Sequence, residues 1–146
     1  MNLVTITHEL ASGQEIQRSD FLKELCTSTI AMYPNGAPIP PWSGYLAEEQ
    51  GVFIGTCAFK APPESGEVEI AYFTFPEHEG RGVASLMAKS LIELAIKHSV
   101  VKIKAQTLPG KNASTRILEK LGFEFSGSIV HPTDGEVWEW YKSGAA

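Results

Sequence analysis

The densest chemistry in the chain lies between Phe75 and Leu86, where FPEHEGRGVASL passes from an apolar run through Pro76 and a charged loop into a helical apolar pattern. Such a junction suits a phosphate. The first N–H groups of a helix lack internal partners, the helix dipole favours an anion beside them, and Gly80 and Gly82 let oxygens approach the main chain. Arg81 adds a cation at the same point. Read more plainly, the two glycines only make a tight strand-to-helix turn. A dinucleotide fingerprint needs a third glycine and an acidic ribose ligand after the next strand, but position 85 is Ser and VVKIKAQTL ends without an acid. An ATP loop needs GK[ST], which is missing here.

The remaining reactive residue types are scattered. His78 borders the phosphate-type loop without a Ser or Cys nucleophile partner and reads as a surface residue; His8, His98 and His131 read as ends of elements and a turn. No pair of them has helical metal-ligand spacing, so no metal is expected. Cys26 and Cys57 sit in apolar settings without CxxC spacing and are expected to be reduced, buried thiols.

The positioning elements follow from periodicity. Leu3 to Leu10 alternates like a strand and ASGQE like a loop. A helix capped by Ser19 or Asp20 carries Phe21, Leu22, Leu25, Ile30 and Met32 until Pro34, and PNGAPIPPW forms a semi-rigid loop. Tyr45–Ala47, Val52–Lys60 and Glu67–Phe75 make an antiparallel meander. From Gly82 the period changes: Val83, Leu86, Met87, Leu91, Leu94 and Ala95 mark a helix ending near His98, followed by a strand from Val101 to Leu108. Asn112–Leu121 is a second helix, ended by Gly122, and Phe123–Val130 with Val137–Tyr141 closes the chain as a hairpin. The order predicts one mixed α/β domain over residues 1–146, a mostly antiparallel sheet with flanking helices and one strand–helix–strand crossover. That crossover brings the end of Glu67–Phe75 to the start of the Gly82 helix, where a cleft opens.

Composition narrows the function classes. With 12 Lys plus Arg against 17 Asp plus Glu the net charge is −5 and no basic run stands out, which argues against nucleic-acid binding. No stretch approaches the roughly eighteen apolar residues of a membrane span and the start lacks a signal pattern, so a cytoplasmic protein without membrane attachment is expected. An apolar edge strand is compatible with a homodimer.

Against this background EVEIAYFTFPEHEGRGVASLMAKSLIELA resembles the cofactor motif of the GNAT superfamily of acetyl-CoA-dependent N-acetyltransferases: strand, proline, R/Q-x-x-G-x-G/A and a long helix, with Gly82 and Ala84 matching. KNASTRILEKLGFEFSGSI is similar to that family's next motif through Asn112, Ser114, Gly122 and Phe123, and DGEVWEWYK resembles the closing hairpin of the ribosomal-protein N-acetyltransferase-like branch. The likeness covers about half the chain, roughly Gly66 to Tyr141. It departs from the pattern at Glu79, where the family prefers Arg or Gln, at Lys111, where its Asn usually stands, and at Leu118, where some members carry a tyrosine acid.

The resemblance implies an acyltransferase with the acyl-CoA N-acyltransferase fold, using acetyl-CoA as co-substrate to acetylate a primary amine of a small molecule or peptide. The amides of Arg81, Gly82, Val83, Ala84 and Ser85 would hold the CoA pyrophosphate, Asn112 would assist, and Phe73, Thr74 and Phe75 would pair with the pantetheine arm. An amide near Phe73 would polarise the thioester carbonyl. A lysine-like amine has a pKa of about 10.4, so a base must take its proton. Glu69 matches a position where that family often carries one, and Glu67 shares its strand face. The alternatives are that both carboxylates are solvated surface charges, and that the chain is a non-catalytic acyl-CoA-binding regulatory module. Tyr33, Trp42, Trp138 and Trp140 read either as an amine-binding rim or, for the two tryptophans that share a strand face, as core.

Overall fold

The computed structural model describes residues 1–36 and 38–144. Its centre is the strand–helix–strand crossover: β4 (Glu67–Thr74), α4 (Val83–Lys97) and β5 (Lys102–Thr107), after β1 (Asn2–Thr5), α1 (His8–Ser12), α2 (Gln14–Gln17), α3 (Asp20–Ala31), β2 (Gly44–Glu49) and β3 (Val52–Phe59). The chain ends with α5 (Ala113–Lys120), β6 (Glu124–His131) and β7 (Gly135–Ser143). The seven strands form one sheet in the order β1-β2-β3-β4-β5-β7-β6. Every neighbouring pair is antiparallel except β4 and β5, which the α4 crossover makes parallel. This is the mixed, mostly antiparallel sheet that the periodicities predict.

Two helical layers cover it. Val83, Met87, Leu91, Ile92 and Ala95 recur at three and four along α4 and pack on Ile54, Cys57, Val68, Ile70 and Ile103, with Leu118 of α5 and Trp140 of β7 in the same cluster. On the opposite face Ile16, Cys26 and Ile30 of α2 and α3 meet Leu46 and Phe75. Both cysteines are buried free thiols, and burial pushes the Cys57 pKa up to about 12.

Three expectations change. The first strand stops at Thr5, because the Thr7 hydroxyl accepts the Leu10 N–H at 3.0 Å and starts a helix where alternation suggested more strand. ASGQE is largely helical rather than a loop, with Gln14–Gln17 forming one turn. The rim reading changes for Tyr33 and Trp42: Trp42 is buried edge-on against Phe59 at 4.9 Å, and buried Tyr33 donates its hydroxyl to the Phe59 carbonyl at 2.8 Å. Trp140 is buried as well, its indole N–H donating to the Thr107 hydroxyl at 3.0 Å.

That last bond ties β7 to β5 beneath the end of the crossover. Thr107→Val keeps the shape and strands the indole N–H, so it should lower stability by about 1–3 kcal/mol in urea unfolding. An unchanged urea midpoint would show that the bond contributes nothing.

Candidate active site

The site is built on a fork. Strands β4 and β5 pair only from Glu67–Lys102 to Ile70–Ala105. Beyond that row β4 stays on β3 through Thr74, and β5 stays on β7 through Thr107. The two parallel strands therefore part over the last residues of each. The Phe75 N–H bonds to the Ile54 carbonyl and the Glu69 carbonyl accepts from Lys60, so odd-numbered residues of β4 turn their main chain to β3. By strand alternation Tyr72 and Thr74 turn theirs into the fork.

The fork runs into the start of α4. Gly82 caps that helix in the left-handed region at φ 76°, ψ 13°, and no side chain caps it. The N–H groups of Val83, Ala84 and Ser85 thus face an open cleft of about 580 Å³. The helix is long enough, at 15 residues, for its dipole to add to their pull on an anion. Across the cleft α5 presents Ala113, Arg116, Ile117 and Lys120, a spacing of three and four that puts two cations on one helix face. Ser114 lines the cleft too, and Glu79 is its acidic member.

On the face of the sheet opposite α4 a charged row crosses three strands. Glu69 meets Lys60 at 2.7 Å and Lys104 at 3.4 Å; Lys104 meets Glu139 at 3.5 Å, and Gln106 donates to Glu139 at 3.1 Å. Partial burial opposes the Lys104 charge, yet the Glu69 and Glu139 carboxylates outweigh it and raise its pKa. Glu139 pairs across from Gln106, one residue beyond the last row that joins β4 to β5, so it stands level with the fork. Glu69, level with Lys104, lies two rows behind Glu139 and one behind the last joined row. The reading of Glu67 and Glu69 as solvated charges on an exposed face changes: both are partly buried, and Glu69 is ion-paired.

The residues picked out in sequence divide accordingly. Gly82, Val83, Ala84, Ser85, Phe73 and Thr74 line the cleft. Phe75 does not. It is buried in the α3-side cluster with its N–H bound to Ile54, leaving no unpaired amide for an extended ligand. Arg81 lies outside the lining, its guanidinium turned to the Nδ1 of His78. Asn112 is spent as a cap: its Oδ1 accepts the Thr115 N–H at 3.0 Å and its amide donates to the Leu108 carbonyl at 3.2 Å. Lys111 lines a separate groove with Phe125 and Trp138.

Sequence reading missed Tyr72, Arg116, Lys120 and Glu139. The α5 spacing carries a signal for the cations, and period two along β4 carries one for Tyr72. Among the described residues the buried Tyr72 hydroxyl has no hydrogen-bond partner, and burial pushes its pKa up to about 12.

Comparison with known proteins bears on this geometry. A family model described as "Acetyltransferase (GNAT) domain" matches residues 8–124. An uncharacterized N-acetyltransferase, p20, of Bacillus licheniformis is 30% identical over 86 residues, 58% of this chain and 48% of that protein. The chain spans less than half the length of the curated relatives it matches. Among solved structures, the ribosomal-protein-S18-alanine N-acetyltransferase of Escherichia coli aligns with TM-score 0.71 at 12% identity over 99% of this chain and 94% of its own. The protein yncA of Salmonella typhimurium, solved with its cofactor acetyl-CoA, aligns with TM-score 0.64 at 19% identity, covering 87% of this chain and 74% of its own. At these identities the structural likeness speaks for the fold.

The anion-binding reading of the cleft has a direct test. Gly82→Val forces a branched side chain into the left-handed region, at a cost of about 1–2 kcal/mol that tilts the first turn of α4. Pyrophosphate titrated by calorimetry should bind the wild type and weaken roughly tenfold in Gly82→Val and in Lys120→Glu. Equal binding by all three proteins would move the anion elsewhere.

Proposed function

The chain belongs to the GNAT acetyltransferase family, and on that premise we propose that it transfers the acetyl group of acetyl-CoA directly to a primary amine of a small molecule or peptide. The observation that carries this reading is the continuity of the fork with the uncapped start of α4 in one cleft. Acetyl-CoA supplies, when bound, an acetyl group activated as a thioester. The residues present fit such a molecule: the Val83, Ala84 and Ser85 amides receive the diphosphate, and Arg116 and Lys120 offset the phosphate charge. The Tyr72 and Thr74 main chain offers N–H and C=O groups to an extended amide-bearing arm, as an added strand would use them. Glu79 is the member that fits least, and its carboxylate must turn to solvent.

The remaining chemistry is proton management. The amine must shed a proton before its lone pair forms the new C–N bond, and the departing sulfur must be stabilised as the C–S bond breaks. Glu139, level with the fork, receives that proton, and the row through Lys104 to Glu69 fixes its orientation. A main-chain N–H in the fork polarises the carbonyl oxygen. Tyr72, protonated throughout the neutral range at a pKa of about 12, donates a hydrogen bond to the sulfur, which takes its proton from water. This supplies part of what a tyrosine at position 118 would otherwise provide.

A second reading, a binding module without turnover, draws on Glu79 in the cleft and on the two lysines that hold Glu69. Release of free CoA thiol from acetyl-CoA across a panel of amines and peptides separates the two. We expect turnover by the wild type, a loss of about 100-fold in Glu139→Gln, a smaller loss in Glu69→Gln and roughly tenfold in Tyr72→Phe, with CoA affinity retained in all three. Tight CoA binding with no thiol release on any acceptor would favour the binding module.

A further inference from the structure

A second cavity, of about 480 Å³, opens where the start of α3 meets the end of β4, lined by Phe21, Leu22, Phe53, Phe75 and Pro76 with Glu77 and Ser19 as its polar members. We propose that this groove receives the acceptor, and that the acceptor is a primary amine carried next to an apolar, preferentially aromatic, group. The inference rests on the acetyl-transfer reading and names the substrate class for it.

Four observations carry it. The groove adjoins the fork, because Phe73, a residue of the part of β4 that borders the fork, has its ring 6.1 Å from the Phe75 ring on the groove's floor. Phe21 stands edge-on to Phe75 at 5.0 Å, so three phenyl rings form a chain from α3 to the fork at spacings suited to aromatic contact. Phe21 and Phe73 are nevertheless 50% and 49% exposed, an arrangement that leaves two large apolar faces in water and that an apolar ligand would cover. Finally, strand alternation puts Phe73 on the same sheet face as Glu69, and through the pairing register on the face of Glu139. An ammonium whose apolar neighbour occupies the groove is therefore on the face where Glu139 stands at the fork.

The same lining argues against a polycation. Among the described residues Glu77 is the only charged one that lines the groove, whereas ammonium groups lying along its apolar floor would lose hydration without a carboxylate to replace it. The groove discriminates by covering an apolar surface, and the charge recognition is confined to one end.

Calorimetric titration and saturation-transfer NMR with 2-phenylethylamine, and separately with spermidine, test this without relying on turnover. The expected result is saturable binding of 2-phenylethylamine with saturation strongest on the phenyl protons, weakened roughly tenfold in Phe21→Ala and largely restored in Phe21→Leu, with CoA affinity unchanged. Absence of 2-phenylethylamine binding, equal binding by Phe21→Ala, or tighter binding of spermidine would overturn the proposal. The two readings fail separately: 2-phenylethylamine held in the groove but never acetylated would sink the transfer reading alone, and amines acetylated without preference for an apolar neighbour would sink this one alone.

Discussion

Everything in the site depends on the loss of pairing between β4 and β5 after Ile70 and Ala105. Each strand keeps its outer partner, β3 for one and β7 for the other, so parting them exposes one row of main-chain groups apiece rather than two. Buried and unpaired, each such group would cost about 1–3 kcal/mol; open to the cleft they meet water or a ligand instead. Packing holds β4 to its outer side. A Cβ on Gly55 of β3 would come within 2.9 Å of the Met87 Cε and 3.0 Å of the Phe73 carbonyl oxygen. The missing side chain lets α4 seat closely over β3 and β4, and the Trp140–Thr107 bond secures β5 to β7 on the other side of the fork.

Charge is distributed to match. The chain is acidic overall, at −5, yet the cleft gathers a helix start and the cations Arg116 and Lys120. The carboxylates that face the fork stand on the opposite side of the sheet. Lys104 lies between Glu69 and Glu139 and offsets their mutual repulsion, and the two carboxylates raise its pKa against the opposing effect of burial. Below the ordinary lysine pKa that ammonium is fully charged and supports the row; the contribution fades only as pH rises through its elevated value. The row therefore persists across the neutral range.

How far the sequence revealed this depends on the scale of the signal. The period-three-and-four pattern of α4 and the alternation of the meander strands were legible because each reflects burial of one whole face, which many residues report together. The α1 start was not, since a single Thr7 cap outweighs several residues of apparent alternation. At the site, the GxG junction is legible as the start of α4, whereas the engagement of the Arg81 guanidinium by His78 and of the Asn112 side chain by Thr115 is local geometry that residue type alone does not report. Glu139 was hidden for a different reason. Its relation to the fork exists only through the register of β5 with β7, which involves residues 33 apart in the chain.

The period of two along β4 explains how so few residues serve such different ends. Between Glu69 and Thr74 successive side chains alternate between the face covered by α4 and the face left to the charged row and the aromatic groove. Tyr72 therefore approaches the fork from the side of α4, while Glu69 and Phe73 belong to the side of the groove. The main chain alternates in step, so the residues whose side chains point toward α4 also present their amides to the fork. A slip of one residue in the pairing with β3 would exchange these assignments all at once. Burial of Val68 and Ile70 beneath α4 opposes that slip, because it would carry both side chains out to the charged face and bring Glu69 into the core. The hydrophobic core thus fixes the chemistry of the fork as well as the fold.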